Sequence, residues 1–427
     1  MRRSCRGFHL PLQRRLLERD KVAVALDRPP PPRRLVYAAG PGDVIGTYRH
    51  WSAGRDDPAQ VAVTYSGQFY DFCRETGARA LVISSNPRKE KLTDGLFVIE
   101  HRPAWFVRGP GPLYHVGQMM AGLRLVISAI LFRADMVIVA DGVHWFVLWP
   151  LSWFGIKVVP TLHCVLWPKH QKPSGAVDRF KWRLNRRFFR RGVFAVLSLS
   201  NDITLQVQSM LTGKPVPILP FLPTYRPESF GDGFEPPPLP PPFRVFFAGR
   251  IEKNKGVFDL LEIARGFAAK GQAGIEFDLC GDGSQLEALR HSTTTAGIQD
   301  RFRLHGHSTK VFMREMYHRC HVVIVPTTSD FNEGFNKVVA EGVLAGRPVI
   351  TSSVCPALEY VRDAVLEVPP DQPAAYGDAI LKLSSDPALY EAKRSATILV
   401  RKQFYDPERG WRSALEQALN PLRNHPF

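Results

Sequence analysis

Glu333 and Glu341 stand eight residues apart in "DFNEGFNKVVAEGVLAGRPVI", residues 330–350 of a basic chain with 56 Lys and Arg against 40 Asp and Glu. Before them, "HVVIVP" reads as a buried strand closed by Pro326, and "TTSDFNE" reads as a polar loop. A helix is expected from about Phe335 to Ala345, stopped by Gly346. Glu333 and Gly334 then fall at the helix N-terminus, and Glu341 lies about two turns inside. On a continuous helix the two carboxylates would be roughly 12 Å apart at 1.5 Å per residue. Amides after Gly334 suit an anion at the positive end of the helix dipole. A sugar at Glu333, a diphosphate at the amides and a ribose at Glu341 would satisfy this order. Each glutamate alone has a plainer reading, Glu333 as a dipole partner and Glu341 as a solvated helix residue. The small neighbours Ala340 and Gly342 favour room for a ligand beside Glu341.

Two further stretches carry chemistry. "FFAGR" ends an apolar strand with Arg250, and Lys255-Gly256 follows just before the helical pattern "VFDLLEIARGF". Two cations at the mouth of a strand–loop–helix unit are placed to neutralise a phosphate pair, although a solvated basic loop reads the same way. "FDLCGDG" ends another strand with Gly281 and Gly283, which lets a ligand approach the backbone, or simply makes a turn.

The elements that must position these residues alternate between strand and helix. "LVYAAG", "ALVISS", "MVIVAD", "KVVPTLH" and "AVLSLS" are short apolar strands in the first half, with helical patterns between them. A second series runs through "FRVFFAGR", "IEFDLCGDG", "RFRLHGH", "HVVIVPTT" and "RPVITSS". Between the series, the Pro-rich stretch 220–242 is a linker, because its prolines exclude a regular helix or central strand. The expected architecture is α/β, with two doubly wound Rossmann-like domains facing a central cleft. Its parts are a basic Pro-rich arm over 1–33, expected to be disordered, a first domain over 34–219, the linker, a second domain over 243–400 and a terminal helical segment over 401–427.

Charge is unevenly placed. Residues 1–242 carry 33 Lys and Arg against 18 Asp and Glu, whereas residues 243–427 carry 23 against 22, so the first half is the part that meets acidic surfaces. The stretch "DRFKWRLNRRFFRRG", 178–192, interleaves cations with aromatic residues. It reads equally as an interfacial anchor on anionic lipid and as a core helix with solvated arginines. Nucleic acid is not expected, since no recognition motif accompanies it. The six cysteines show no CxxC pair, which suits reduced thiols rather than a disulfide framework or zinc site. The N-terminus lacks a secretory h-region, and the apolar stretch "LRLVISAILFRADMVIVA" is cut by Arg124, Arg133 and Asp135, so no membrane span is expected.

Taken together, Arg250 with Lys255-Gly256, "GDG", "PTTSDFNEGFNKVVAEGVLAGRPVI" and "ALEYV" resemble the donor domain of family-4-type retaining glycosyltransferases, enzymes of GT-B fold whose hallmark is Glu-x7-Glu. The resemblance implies that Arg250 and Lys255 bind a donor diphosphate and that Glu341 holds the ribose. Glu333 would meet the donor sugar near the reacting carbon, and Gly334, Phe335 and Asn336 would offer backbone contacts. Many members carry glycine where this chain has Asn336. The family needs no obligatory metal and no cofactor, the nucleotide-sugar being a substrate, and its C-terminal helix commonly returns to the first domain. In that domain "KVVPTLH" matches the strand that ends in a histidine near the transferred sugar, which marks His163. Asp141 and His144 have a weaker claim. His163 and Cys164 are adjacent on a strand, where side chains point apart, so they are not a nucleophile pair.

The implied reaction moves a sugar from a nucleotide-diphosphate sugar to an acceptor hydroxyl with retention, in bacterial surface polysaccharide or glycolipid synthesis. The expected acceptor is a saccharide or lipid-linked molecule. The expected location is the cytoplasm, with peripheral attachment to the inner face of the cell membrane. A GT-B-fold nucleotide-sugar isomerase or epimerase, or a non-catalytic nucleotide-sugar-binding subunit, would share the donor site.

Overall fold

The computed structural model describes residues 33–105, 111–140, 142–169, 175–211, 215–231, 233–239, 242–272 and 274–419. The expectation for an N-terminal arm therefore lies, from residue 1 to 32, outside the described residues. Two sheets organise the rest.

The first has eight strands in the order β3-β4-β2-β1-β5-β6-β7-β8. These are β1 Arg34–Ala38, β2 Arg79–Ser84, β3 Glu90–Asp94, β4 Phe97–His101, β5 Met136–Val139, β6 Lys157–Leu162, β7 Val196–Ser198 and β8 Ile218–Pro220. Only β3 runs antiparallel, in a hairpin with β4. β5 is buried at every position, which is why its Val/Ile-rich run shows no alternation. Helices α1 (Val44–Ser52) and α2 (Tyr65–Thr76) join β1 to β2. Helix α3 (Gly111–Leu131), the 3₁₀ segment Trp145–Phe154, α4 (Ala176–Gly192) and α5 (Asn201–Leu211) join strands that advance the opposite way across the sheet. Right-handed crossovers then place α1 and α2 on one face and α3, the 3₁₀ segment, α4 and α5 on the other.

The second sheet is fully parallel in the order β11-β10-β9-β12-β13-β14. Its strands are β9 Phe243–Ala248, β10 Ile275–Cys280, β11 Phe302–Gly306, β12 Val322–Val325, β13 Val349–Ser352 and β14 Val365–Val368. Its main helices are α6 (Val257–Ala269), α7 (Leu286–Thr295), α8 (Lys310–Arg319), α9 (Lys337–Leu344), α10 (Pro373–Ser385) and α11 (Pro387–Val400).

The chain crosses between the sheets twice, and the crossings run side by side. Leu222 N donates to Arg409 O at 2.8 Å and Tyr225 N to Phe404 O at 2.9 Å. The terminal helix α12 (Trp411–Leu419) packs on the first sheet's domain. Trp411 is fully buried there beside Tyr37 and Phe69, and Arg412 forms a forked pair with Glu75 on α2.

Two helix boundaries differ from the sequence reading. Helix α9 begins at Lys337 rather than Phe335, for a reason given below. Helix α3 begins at Gly111 and ends before Arg133, so Arg124 is its only charged residue. By length and composition alone it is long and apolar enough to cross a membrane. It lies along the sheet with Gly117, Gly122, Leu125, Val126 and Ala129 buried.

Candidate active site

The C-terminal ends of β9 and β12 bring the sequence-marked cations and acids together. Arg250 follows β9, and Lys255 ends a 3₁₀ turn at Lys253–Lys255. Gly256 closes that turn at φ 71°, so close under β12 that a Cβ would come within 2.1 Å of Pro326 O. Lys255 Nζ therefore points into the loop after β12. There it donates to Glu333 Oε2 at 2.6 Å and lies 3.8 Å from the Phe331 ring centre. Arg250 is exposed and stands over the same ring at 5.6 Å. The result is one nearly buried ion pair with a free-standing guanidinium beside it.

Gly281 and Gly283 meet a packing need of their own. A Cβ on Gly281 would come within 1.7 Å of Gly249 O, and one on Gly283 within 2.3 Å of Ile251 O. These glycines let the loop after β10 pack on the backbone that carries Arg250. In doing so they help to position the cation.

Asn336 explains both the late start of α9 and the departure from glycine. Its backbone has φ 69° and ψ 91°, a region that glycine enters freely and asparagine tolerates best among the rest. Its side-chain oxygen caps the helix by accepting from Val338 N at 3.2 Å, while its Nδ2 donates to Glu333 Oε2 at 3.0 Å. Glu333 is thus held from two sides. We expect Asn336→Ala to lower stability by about 1–3 kcal/mol, from strain plus loss of the cap. Asn336→Gly relieves the strain and should cost less; urea unfolding of the two variants checks the order.

Phe335 is not a surface contact. Its ring is buried against Tyr360 and Phe404, and its carbonyl accepts from Ala357 N at 3.0 Å. Among the described residues, the amides of Gly334, Phe335 and Asn336 have no acceptor within the protein. Three such donors in succession before a helix form a cradle of amides of the kind that can receive an anion.

Glu341 is buried rather than solvated, and its small neighbours do not make room beside it. Gly342 packs on Val323 and Val349, where a Cβ would come within about 3.0 Å of the Val323 side chain. Tyr317 on α8 donates to Glu341 Oε2 at 2.8 Å, and Tyr225 of the linker donates more weakly to Oε1 at 3.4 Å. Burial raises the carboxyl above its ordinary range, opposed by the Tyr317 hydrogen bond, the nearby Lys337 charge and Tyr225.

The second sheet's loop meets the first domain at His163, just past β6. Gly334 lies against the His163 carbonyl. The His163 ring stacks on Tyr65 at 4.6 Å, and Lys337 Nζ stands 5.0 Å from the other side of that cluster, over the Tyr65 ring. The His163 Nε2 is 3.2 Å from Thr161 Oγ1, which accepts from Trp411 Nε1 at 2.8 Å. The returning helix α12 therefore fixes the strand residue that fixes the histidine. Burial, then the Lys337 charge, pushes His163 down to about 3, so the imidazole is neutral at physiological pH. Burial likewise lowers the Lys337 ammonium, against the pull of Glu341. Cys164 is exposed.

His144 lies away from this centre, 3.2 Å from His115. Asp141 lies outside the described residues. A separate cavity of about 90 Å³ opens at the ends of β1, β2 and β5, lined among others by Gly40, Ser85, Arg102, Trp105, Met120 and Arg124. Among the described residues no group of three His, Cys, Asp or Glu side chains gathers as a metal site.

The sequence reading missed Lys337, Tyr65, Tyr225 and Tyr317. Lys337 had a local signal, a cation one turn before Glu341. The tyrosines lie 24 to 276 residues before Glu341 in the chain and had none.

Residues 234–398 match the family model described as glycosyl transferases group 1. This segment is a glycosyl transferases group 1 domain. The chain is 30% identical over 145 residues to a 2-deoxystreptamine N-acetyl-D-glucosaminyltransferase of Niallia circulans, a match covering 33% of this chain and 36% of that protein. The chain thus spans little more than a third of that relative's length. An enzyme of the same description from Streptomyces fradiae is 28% identical over 306 residues, 65% of this chain and 69% of that one. In three dimensions the chain is similar to a sucrose-phosphate synthase from Thermosynechococcus elongatus, with TM-score 0.68 and 16% identity over 92% of this chain and 98% of that one. The paired parallel sheets are the GT-B fold.

Proposed function

We propose that the protein transfers a glycosyl group from a nucleotide-diphosphate sugar to an acceptor hydroxyl with retention of configuration. The observation that carries this is the Lys255–Glu333 pair beside exposed Arg250, all three at the amide cradle that begins α9. The diphosphate would lie on the cradle between Arg250 and Lys255, with the sugar toward Glu333 and His163. As the bond from sugar to diphosphate breaks, negative charge develops on the leaving oxygen. The two cations and the amides are preorganised to receive it, the largest rate contribution these residues can make. The leaving diphosphate takes the acceptor's proton while the acceptor oxygen bonds to the sugar carbon on the same face. His163 acts as a neutral hydrogen-bonding group and not as an acid. Ribose hydroxyls compete with Tyr225 at Oε1 of Glu341, whose Oε2 is committed to Tyr317.

The acceptor belongs to the cavity in the first domain. Its described lining holds no carboxylate and two guanidiniums, Arg102, which is paired with Glu100 at 2.7 Å, and Arg124 over the Trp105 ring, whose charge is the excess. That charge disfavours a cationic aminocyclitol of the kind the curated relatives' names mention, and favours a neutral or phosphate-bearing saccharide. We place the enzyme at the inner face of the cell membrane in polysaccharide or glycolipid synthesis, without a cofactor or required metal, since Arg250 and Lys255 supply the charge on the phosphates.

The test is release of nucleoside diphosphate from UDP-, GDP- or ADP-sugars with saccharide acceptors, followed by the product's anomeric configuration by NMR. Acceptor-dependent release with retention is expected. Conversion of the donor without release would identify an isomerase or epimerase, and binding without conversion a binding subunit.

A further inference from the structure

We propose that the face built from α3, the Trp145–Phe154 segment and α4 docks the protein on an anionic lipid bilayer, delivering the acceptor to the cavity beneath α3. The delivery of an acceptor rests on the reading above; the docking does not.

The basic stretch 178–192 supplies less apolar surface than its sequence suggests. On α4, Phe188 and Phe189 are fully buried, so they anchor the helix in the core beneath an arginine-bearing outer face. The exposed residues include a stripe at helical spacing, Phe180, Arg183, Arg187 and Arg191, alongside Val177, Arg179, Arg186 and Arg190. The apolar surface comes from α3 instead. Val116, Met119, Leu123, Ile127 and Leu131 recur every three or four residues on its solvent side, and Leu131 is 78% exposed. Over about 22 Å of helix the position that should carry polar residues carries none of them.

The 3₁₀ segment lies between the two helices. A Cβ on Gly122 of α3 would touch Val147, and Arg187 of α4 stands 5.9 Å from the Trp149 ring centre. Its own end projects Trp153 and Phe154, the former 75% exposed. Right-handed crossovers put all three elements on one side of the sheet, so their outer residues form one contiguous patch. An apolar patch of this size on a soluble surface marks an interaction site. Arginine beside it, with a tryptophan at the edge, is the composition of an interfacial membrane element.

The charge selects the occupant. A second copy of the chain would bring two α4 arginine rows together, which repel; a neutral surface would leave them unmatched. Anionic headgroups match them, and a cavity of about 390 Å³ between α4 and α5 offers a place for one, with Arg183 beside Trp167, Trp182 and Met210. The inner side of α3 contributes Met120, Ala121 and Arg124 to the first-domain cavity. With the outer side of α3 in the headgroup layer, an amphiphilic acceptor can reach that cavity without leaving the bilayer.

Sedimentation with phosphatidylglycerol-containing and pure phosphatidylcholine vesicles tests this. The full chain should bind the anionic vesicles, more weakly as salt rises. Leu123→Ser with Ile127→Ser and Trp153→Ser, all exposed positions, should weaken binding at least roughly tenfold through lost apolar insertion. Arg183→Glu with Arg187→Glu should also weaken it roughly tenfold or more and remove most of the salt dependence. Thermal stabilisation by the donor should be unchanged in both variants, which separates this proposal from the donor site. Absence of vesicle binding, or binding that ignores the α3 variant, overturns the proposal. So does a dimer in light scattering that the α3 variant dissolves, since the face would then be covered by a second copy. Vesicle binding without any glycosyl transfer would leave the docking face standing and the enzymatic reading fallen.

Discussion

Lys255→Ala should lower nucleoside diphosphate release by about 10²- to 10³-fold, the range expected when one preorganised group facing developing charge is removed. The ammonium has two partners at different stages. Before donor binding it neutralises Glu333 at 2.6 Å, with both side chains nearly buried. In the proposed reaction it would then face the leaving diphosphate. The substitution therefore has a stability cost as well, because Glu333 is left as an almost buried charge with only the Asn336 amide beside it. Breaking one side of such a pair costs up to about 3–5 kcal/mol at full burial. A double variant separates the two roles. Adding Glu333→Gln to Lys255→Ala should restore stability, since no uncompensated charge remains, yet leave turnover as low. Arg250→Ala is the complementary case: exposed and free of ion pairs, it should cost turnover and donor binding while urea unfolding is unchanged. If Lys255→Ala were stable and fully active, the pair would be structural ornament and the diphosphate would bind elsewhere.

The parts of the fold that were legible in the sequence are those with local causes. Val- and Ile-rich runs such as "HVVIVP" form strands because both sheet faces are covered, and the prolines of 220–242 stop either sheet from continuing. The site was legible where its chemistry is local too: Glu333, Gly334 and Asn336 belong to one turn, and Arg250 and Lys255 to one loop. Three features have surroundings set by distant parts of the chain, which no local pattern shows. Gly281 and Gly283 look like a ligand loop until Gly249 and Ile251 are seen against them. Glu341 could be read as a solvated helix residue until Tyr317 and Tyr225 are seen holding its buried carboxylate. The stretch 178–192 reads equally as a lipid anchor and as a core helix with solvated arginines, and only the structure shows Phe188 and Phe189 in the core, the arginines outside and a larger apolar surface on α3. Asn336 is a different case. It looked like an odd letter in a familiar pattern, and its positive φ and its bond to Glu333 show why asparagine can stand there.

Gly334→Ala should cost about 10²-fold in turnover while leaving donor binding nearly intact. The added Cβ would come within 1.8 Å of the His163 carbonyl oxygen, 2.6 Å of its carbon and 2.9 Å of the Cys164 Cα. All three are backbone atoms at the end of β6, so no rotamer can give way. The relief available is separation of the two domains by more than an ångström. Arg250, Lys255 and Glu333 belong to the second domain and move together, so the donor's phosphates keep their partners, and thermal stabilisation by the nucleotide-sugar should persist. His163, Tyr65 and the acceptor cavity belong to the first domain and are carried away from the sugar. A misplacement of about 1 Å between reacting groups is enough for a loss of this order. Gly342→Ala is the control for a methyl added to the same helix region: it meets the side chains of Val323 and Val349 at 3.0–3.1 Å, within one domain. Its cost should appear as stability, about 1–3 kcal/mol of overpacking, and not as a change in the distance between domains. Full activity in Gly334→Ala would mean that the reaction proceeds with the domains further apart than the His163–Gly334 contact holds them.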